Sequence, residues 1–272
     1  MNLNKLKLFT DPLESTETMP VLFVGHGSPM NAIEQNEFTT SWETRSKLLP
    51  TPKAILCISA HWETKGTFVT AMKLPPTIHD FGGFPQALFD VQYPAPGSTE
   101  LAEETKKLIV KTEVGLDTNW GLDHGTWSVL KRFYPDAGIP VIQLSLDYYR
   151  DPLYHYELAR ELQALRNKGI LIIGSGNMVH NLRALDWSKT NTGYDWAIEA
   201  NEKFKQLIML DHHLQLVDYK KLGTAVQMAV PTPEHFLPLL YAMALKTEKD
   251  EISFFNDKPV MGSLTMTSLQ IG

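Results

Sequence analysis

The hydrophobic positions of the chain concentrate in four short runs: Val21-Leu22-Phe23-Val24, Ile55-Leu56-Cys57-Ile58, Val141-Ile142-Gln143-Leu144 and Ile170-Leu171-Ile172-Ile173. Their side chains are apolar almost throughout and rich in β-branched residues. That pattern belongs to parallel strands covered by helices on both faces, because neither face then needs polar side chains. Segments with helical character lie between them, at 99–110, 151–166 and 194–210. The order β then α, repeated, predicts an α/β fold, a single domain around a mostly parallel central sheet. Loops are expected at 73–85, 93–98 and 231–233, where proline and glycine gather. Weak alternation over 252–269 predicts one or two edge strands. Residues 1–19 read as an N-terminal tail, leaving 20–272 for the domain.

At 272 residues the chain approaches the upper limit for one hydrophobic core. With 43% hydrophobic and 21% charged residues it stands apart from chains too polar to fold. The net charge is −6, and Lys and Arg never form a run longer than a pair, so nucleic acid is not an expected partner. The single cysteine, Cys57, sits inside an apolar run; a buried thiol in a reducing compartment follows. Residues 1–19 lack the continuous apolar core of a secretion signal, and no stretch is apolar for long enough to cross a bilayer. A cytoplasmic protein with no membrane association is therefore expected.

Three of the four runs end in turns that hold or lead into a histidine: Gly25-His26-Gly27-Ser28-Pro29, Ser59-Ala60-His61-Trp62 and Gly174-Ser175-Gly176-Asn177-Met178-Val179-His180. The carboxyl ends of parallel strands border one crevice, so these histidines should converge there. Gly25, Gly27, Gly174 and Gly176 would let the backbone turn and approach a ligand closely. His235 follows Pro231-Thr232-Pro233-Glu234 and is expected in the first turn of a helix. One core histidine usually serves only as a hydrogen-bonding group; several at one ligand edge suggest a transition metal such as zinc or iron. His155, His212 and His213 occupy polar helical surroundings and read as surface residues. The sequence Gly174-Ser175-Gly176 imitates the start of a dinucleotide fingerprint, but Val179 replaces its third glycine. Ser28 lacks the flanking pattern of a hydrolase nucleophile.

Separated motifs in a fixed order carry a resemblance. Gly25-His26-Gly27-Ser28-Pro29-Met30, Ser59-Ala60-His61-Trp62, Pro76-Thr77-Ile78-His79-Asp80-Phe81-Gly82-Gly83-Phe84-Pro85, Asp123-His124-Gly125-Thr126-Trp127, Gly176-Asn177-Met178-Val179-His180-Asn181 and Pro231-Thr232-Pro233-Glu234-His235 together resemble the 4,5-DOPA extradiol dioxygenases, bacterial members above all. The likeness runs over about 19–272. It implies a ring-opening dioxygenase acting on a catechol and O2 at one divalent metal per chain, with a muconate semialdehyde as product. Fe(II) is the implied metal for catalysis, and Zn(II) suits the same ligands. His26, His61 and His235 match the family's metal ligands. His180 matches its acid/base histidine, close enough to serve as a fourth ligand, and His124 matches a second histidine of the substrate site. The usual two-histidine, one-carboxylate iron site is replaced by histidines alone, with Glu234 expected to point away. The loop Phe81-Gly82-Gly83-Phe84 would form a lid. The competing readings are a zinc-binding protein and a zinc-dependent hydrolase on the same fold. The presence of both His180 and His124 speaks against a purely structural site. Neither the substrate beyond a catechol nor the oligomeric state follows from the sequence.

Overall fold

The computed structural model describes residues 18–272. Most of the expected N-terminal tail, 1–17, lies outside the described residues; Met19, at its end, is buried in the core. The predicted runs become β1 (Val21–Gly25), β2 (Ala54–Ser59), β3 (Val141–Gln143) and β4 (Ile170–Gly176). They pair in parallel in the order β3-β2-β4-β1. The C-terminal segment adds β5 (Ile252–Phe255) and β6 (Ser268–Ile271). Of these two only β5 is an edge strand, since β6 lies antiparallel between it and β1, and β3 forms the opposite edge. The weak alternation there has a physical cause: β6 is largely covered on both faces, and in β5 Ser253 is exposed, Phe255 is buried and the two residues between and before them are part-covered.

Successive strand side chains point to opposite faces, and each face has its own core. Val21, Phe23, Leu56, Ile58 and Ile172 pack on one side under α2 (Thr99–Leu108), α4 (Pro152–Arg160), α6 (Asp195–Met209) and α7 (Leu237–Ala244). Leu22, Val24, Ile55, Cys57 and Ile173 pack on the other under α1 (Glu37–Ser46) and α3 (His124–Phe133), whose Trp42 and Trp127 are fully buried. The helix expected over 151–166 is broken, with a separate short turn, α5 (Gln163–Arg166), after α4. At the break, the Glu161 carboxylate accepts the amides of Val110 and Lys111.

His155 is not a surface residue. It is fully buried, with Nδ1 3.0 Å from the Tyr241 hydroxyl, because α4 turns this side toward α7. His213 is half-buried beside the Tyr156 hydroxyl at 3.0 Å, and His212 is exposed as expected.

The buried Arg166 guanidinium forms two 2.8 Å bonds to Asp250 and donates to the carbonyls of Met19 and Leu245, tying both ends of the domain together. Burial works to raise Asp250, but hydrogen bonds from Arg166 and Thr247 outweigh it and hold the carboxyl at about 2. A depressed carboxyl stabilises the fold above its unfolded pKa of about 3.9, and that contribution fades as pH falls toward 2. Asp250→Asn should cost about 3 kcal/mol at pH 7, because a buried arginine loses its counter-charge. It should also flatten the acid limb of a denaturant-midpoint profile between about pH 4 and 2. An unchanged acid limb would show that this pair does not set acid stability.

Candidate functional site

The parallel registers place Gly25 beside Gly176 and Ser59 beside Ser175, so three strand ends lie level. The chain leaves each end into the same crevice. The His26 amide donates to the Gly176 carbonyl (3.0 Å) and the Ala60 amide, just before His61, to the Ser175 carbonyl (3.0 Å). Beyond β4, the Asn177 amide donates to the His235 carbonyl (2.8 Å) and the His180 amide to that of Ala229 (2.9 Å). His235 lies in the turn that leads into α7, not inside its first turn; the amides of Phe236 and Leu237 close that turn on the Pro233 carbonyl. His124 begins α3, capped by Asp123.

All five candidate histidines meet. The Nε2 atoms of His26 and His61 are 3.2 Å apart. Ring centres lie 3.8 Å apart for His61 and His124, 5.0 Å for His61 and His235, 5.2 Å for His26 and His235, and 3.5 Å for the stacked pair His180 and His235. Two compact donor groups result, His26 with His61 and His124, and His180 with Glu234 and His235; within each, one ligand atom per residue lies within 4.8 Å of the others.

The surroundings fix the tautomers. The Ser175 hydroxyl donates to the Gly125 carbonyl (2.6 Å), so at 2.9 Å it accepts from Nδ1–H of His26. Nδ1 of His124 donates to Asp80 Oδ2 (2.9 Å) and Nδ1 of His235 to Glu234 Oε1 (3.1 Å). In each ring the lone pair is left on Nε2, the form in which imidazole binds a metal. Burial, reinforced by neighbouring histidines, holds His26 and His235 well below the usual histidine range. Burial and the His124 ring lower His61 to about 3, against the opposing pull of Asp80. These rings are neutral at physiological pH. The donor set therefore fits a divalent transition metal: neutral, crowded imidazoles with convergent lone pairs gain from a shared cation.

The expectation that Glu234 points away is corrected. Its carboxylate folds back onto His235, where Oε1 meets Nδ1 at 3.1 Å and also accepts from the Thr232 hydroxyl at 2.9 Å. Asp80 was assigned no role, yet it binds His124 through both amide and ring and lies 3.7 Å from Nδ1 of His61. Burial works to raise Asp80, but the hydrogen bonds from His124 outweigh it and keep the carboxyl below its ordinary range. Its place beside His79, inside one of the motifs that carry the family resemblance and just before Gly82-Gly83, is the signal the sequence offers. Asp123 is buried and held by Ser59 (2.7 Å) and Gln143 (2.6 Å); burial and Asp80 push its carboxyl upward.

The glycines act differently from expectation. Gly27 does turn with φ +60°, but Gly174 and Gly176 remain in strand β4. A Cβ on them would meet the carbonyl oxygens of Pro238 and His235 at 2.3 and 2.2 Å, so they make room for the segment carrying His235. Being paired strand, 174–176 also forms no phosphate loop. Ser28 caps the short helix Pro29–Ala32, accepting the Met30 amide.

The histidines line a cavity of ≈ 650 Å³, within the roughly 300–1,000 Å³ usual for small-molecule sites. Phe81 stands edge-on to His124 at 5.5 Å and packs on Phe84 and Phe89, so the expected lid loop supplies an aromatic wall. Leu185, Val260, Leu264 and Met266 continue the apolar lining.

A family model described as the catalytic LigB subunit of aromatic ring-opening dioxygenase matches residues 19–260. The 4,5-DOPA dioxygenase extradiol of Escherichia coli (strain K12) is 48% identical over 271 residues, 97% of this chain and 99% of that protein. The protein of the same name from Beta vulgaris is 36% identical, covering 86% of this chain and 90% of its own. The crystal structure of an uncharacterized protein from Escherichia coli K12 matches with a TM-score of 0.82 and 43% identity, over 93% of this chain and 100% of that one.

Proposed function

Because the chain belongs to the family of catalytic LigB subunits of aromatic ring-opening dioxygenases, we propose that it opens a catechol ring beside one hydroxyl, consuming O2 and releasing a muconate semialdehyde, at one metal ion held by His26, His61 and His235. The observation that carries this reading is the convergence of the His26, His61 and His235 rings, with the Nδ1–H of His26 fixed on Ser175 and that of His235 on Glu234. A bound Fe(II) would supply acidification of a catechol hydroxyl and a common point of attachment for catechol and O2; Zn(II) fits the same neutral ligands.

The remaining work falls to side chains. His180 is lowered to about 4 by burial, with Glu234 opposing, so at neutral pH it is an unprotonated base able to take the catechol proton. His124, tied to Asp80, turns Nε2 toward the crevice as an acceptor for the other hydroxyl. The Phe81 and Phe84 rings would flank the bound aromatic ring and keep water from it. The buried Cys57 fits a reducing compartment, and we place the enzyme in the cytoplasm.

Anaerobic loading with Fe(II), followed by 4-methylcatechol and air, should give oxygen uptake matched by a yellow ring-opened product. His124→Phe should keep its metal while turnover falls about 10- to 100-fold, the scale of one lost hydrogen bond to a buried group. Loss of metal would make His124 a ligand in place of His235. Failure of the wild type to consume oxygen with its metal in place would favour the hydrolase or structural reading.

A further inference from the structure

We infer that the Glu234 carboxylate supplies, through His235, the negative charge that a carboxylate ligand supplies in the usual two-histidine iron site; this rests on the reading of His235 as a metal ligand. The three proposed ligands differ in what faces their Nδ1 atoms. His26 donates to the neutral Ser175 hydroxyl at 2.9 Å. His61 lies 3.7 Å from Asp80 Oδ2, too far for a hydrogen bond, and Asp80 is already engaged by the amide (2.8 Å) and Nδ1 (2.9 Å) of His124. Of the three, only His235 donates to a carboxylate, at 3.1 Å to Glu234 Oε1.

Both partners are held in place. The Thr232 hydroxyl donates to the same Glu234 oxygen at 2.9 Å, and the His235 carbonyl accepts the Asn177 amide at 2.8 Å. The Glu234 side chain is 19% exposed and that of His235 9%, so water screens the pair weakly. Among the described residues Glu234 has its one ion-pair contact with His235, and none of those lining the cavity is lysine or arginine. No cation therefore cancels the charge before it acts on the ring. A carboxylate that accepts from Nδ1–H makes the other ring nitrogen a stronger donor. Its charge also favours a bound ion more as the charge on that ion rises, so Glu234 should tighten divalent binding and favour Fe(III) over Fe(II) further.

The test uses the full-length protein. Glu234→Gln keeps the side-chain length and an acceptor for Nδ1–H and removes only the charge. Its dissociation constant for Zn(II), read by chelator competition, should rise about 10-fold. Its preference for Fe(III) over Fe(II) should fall about 10-fold, a rise of about 59 mV in midpoint potential, in an anaerobic redox titration followed by the ferric EPR signal. Ser175→Ala, which takes a neutral partner from His26, should also weaken Zn(II) binding but leave the midpoint in place. An unmoved midpoint in Glu234→Gln would reduce Glu234 to a prop for the ring and overturn the inference, as would an equal rise in both variants. Outright loss of metal from Glu234→Gln would make Glu234 itself a ligand, which overturns it too. Neither readout needs catechol, so the inference stands or falls apart from ring opening; a wild type that holds no divalent metal overturns both.

Discussion

His180→Ala in the iron-loaded protein is expected to lower catechol opening by about 10²- to 10⁴-fold, the usual contribution of a positioned acid/base group, while metal content stays near that of the wild type. His180 enters the crevice from the turn after the end of β4 and stacks on His235 at 3.5 Å, which brings it to the substrate region. Burial lowers its pKa to about 4, which makes it an acceptor throughout the neutral range. A group lost only from proton transfer lowers kcat and leaves catechol affinity largely intact, so anaerobic catechol binding should survive. Near-normal turnover would make His180 a structural residue. Loss of the metal would make it a ligand and move the site toward a closed zinc centre.

Alanine at His26, His61 or His235 should each weaken metal binding by more than about 100-fold, beyond the 10–100-fold typical of losing only an orienting group. Activity should vanish with the metal. Folding should survive, because the His26 amide still donates to Gly176, and the His235 carbonyl still accepts from Asn177, whatever the side chain. Metal analysis after dialysis, with a thermal melt as control, separates the two effects. The donor groups in the crevice sharpen the test. In the proposed set His26 and His61 would be ligands whether His235 or His124 completes it, so comparing His235→Ala with His124→Phe identifies the third ligand. Full occupancy in any of the three alanine variants would remove that residue from the set.

The strand runs were legible because burial on both faces writes itself into composition, and all four took their places as parallel neighbours. The same rule of strand ends brings His26, His61 and His180 to one crevice from the sequence alone. His155 was misread because its neighbours along the chain are polar, while what buries it is α7, far off in sequence. The position of β6 was hidden too. A strand one place in from a sheet edge and a strand at the edge can carry similar short patterns, and only pairing with β1 distinguishes them.

By itself the sequence determined the α/β class, the strand ends and the histidines they deliver, since these depend on local periodicity and on a general rule of parallel sheets. Only the tertiary structure decided how those histidines are aimed. Asp80 reaches His124 across 44 positions and Ser175 reaches His26 across 149. Gly174 and Gly176 prove to be spaces for the backbone around His235, not for a ligand. A hydrogen bond or a close approach between distant segments leaves no periodic mark along the chain, because its partner is set by how the elements pack and not by what stands next to it.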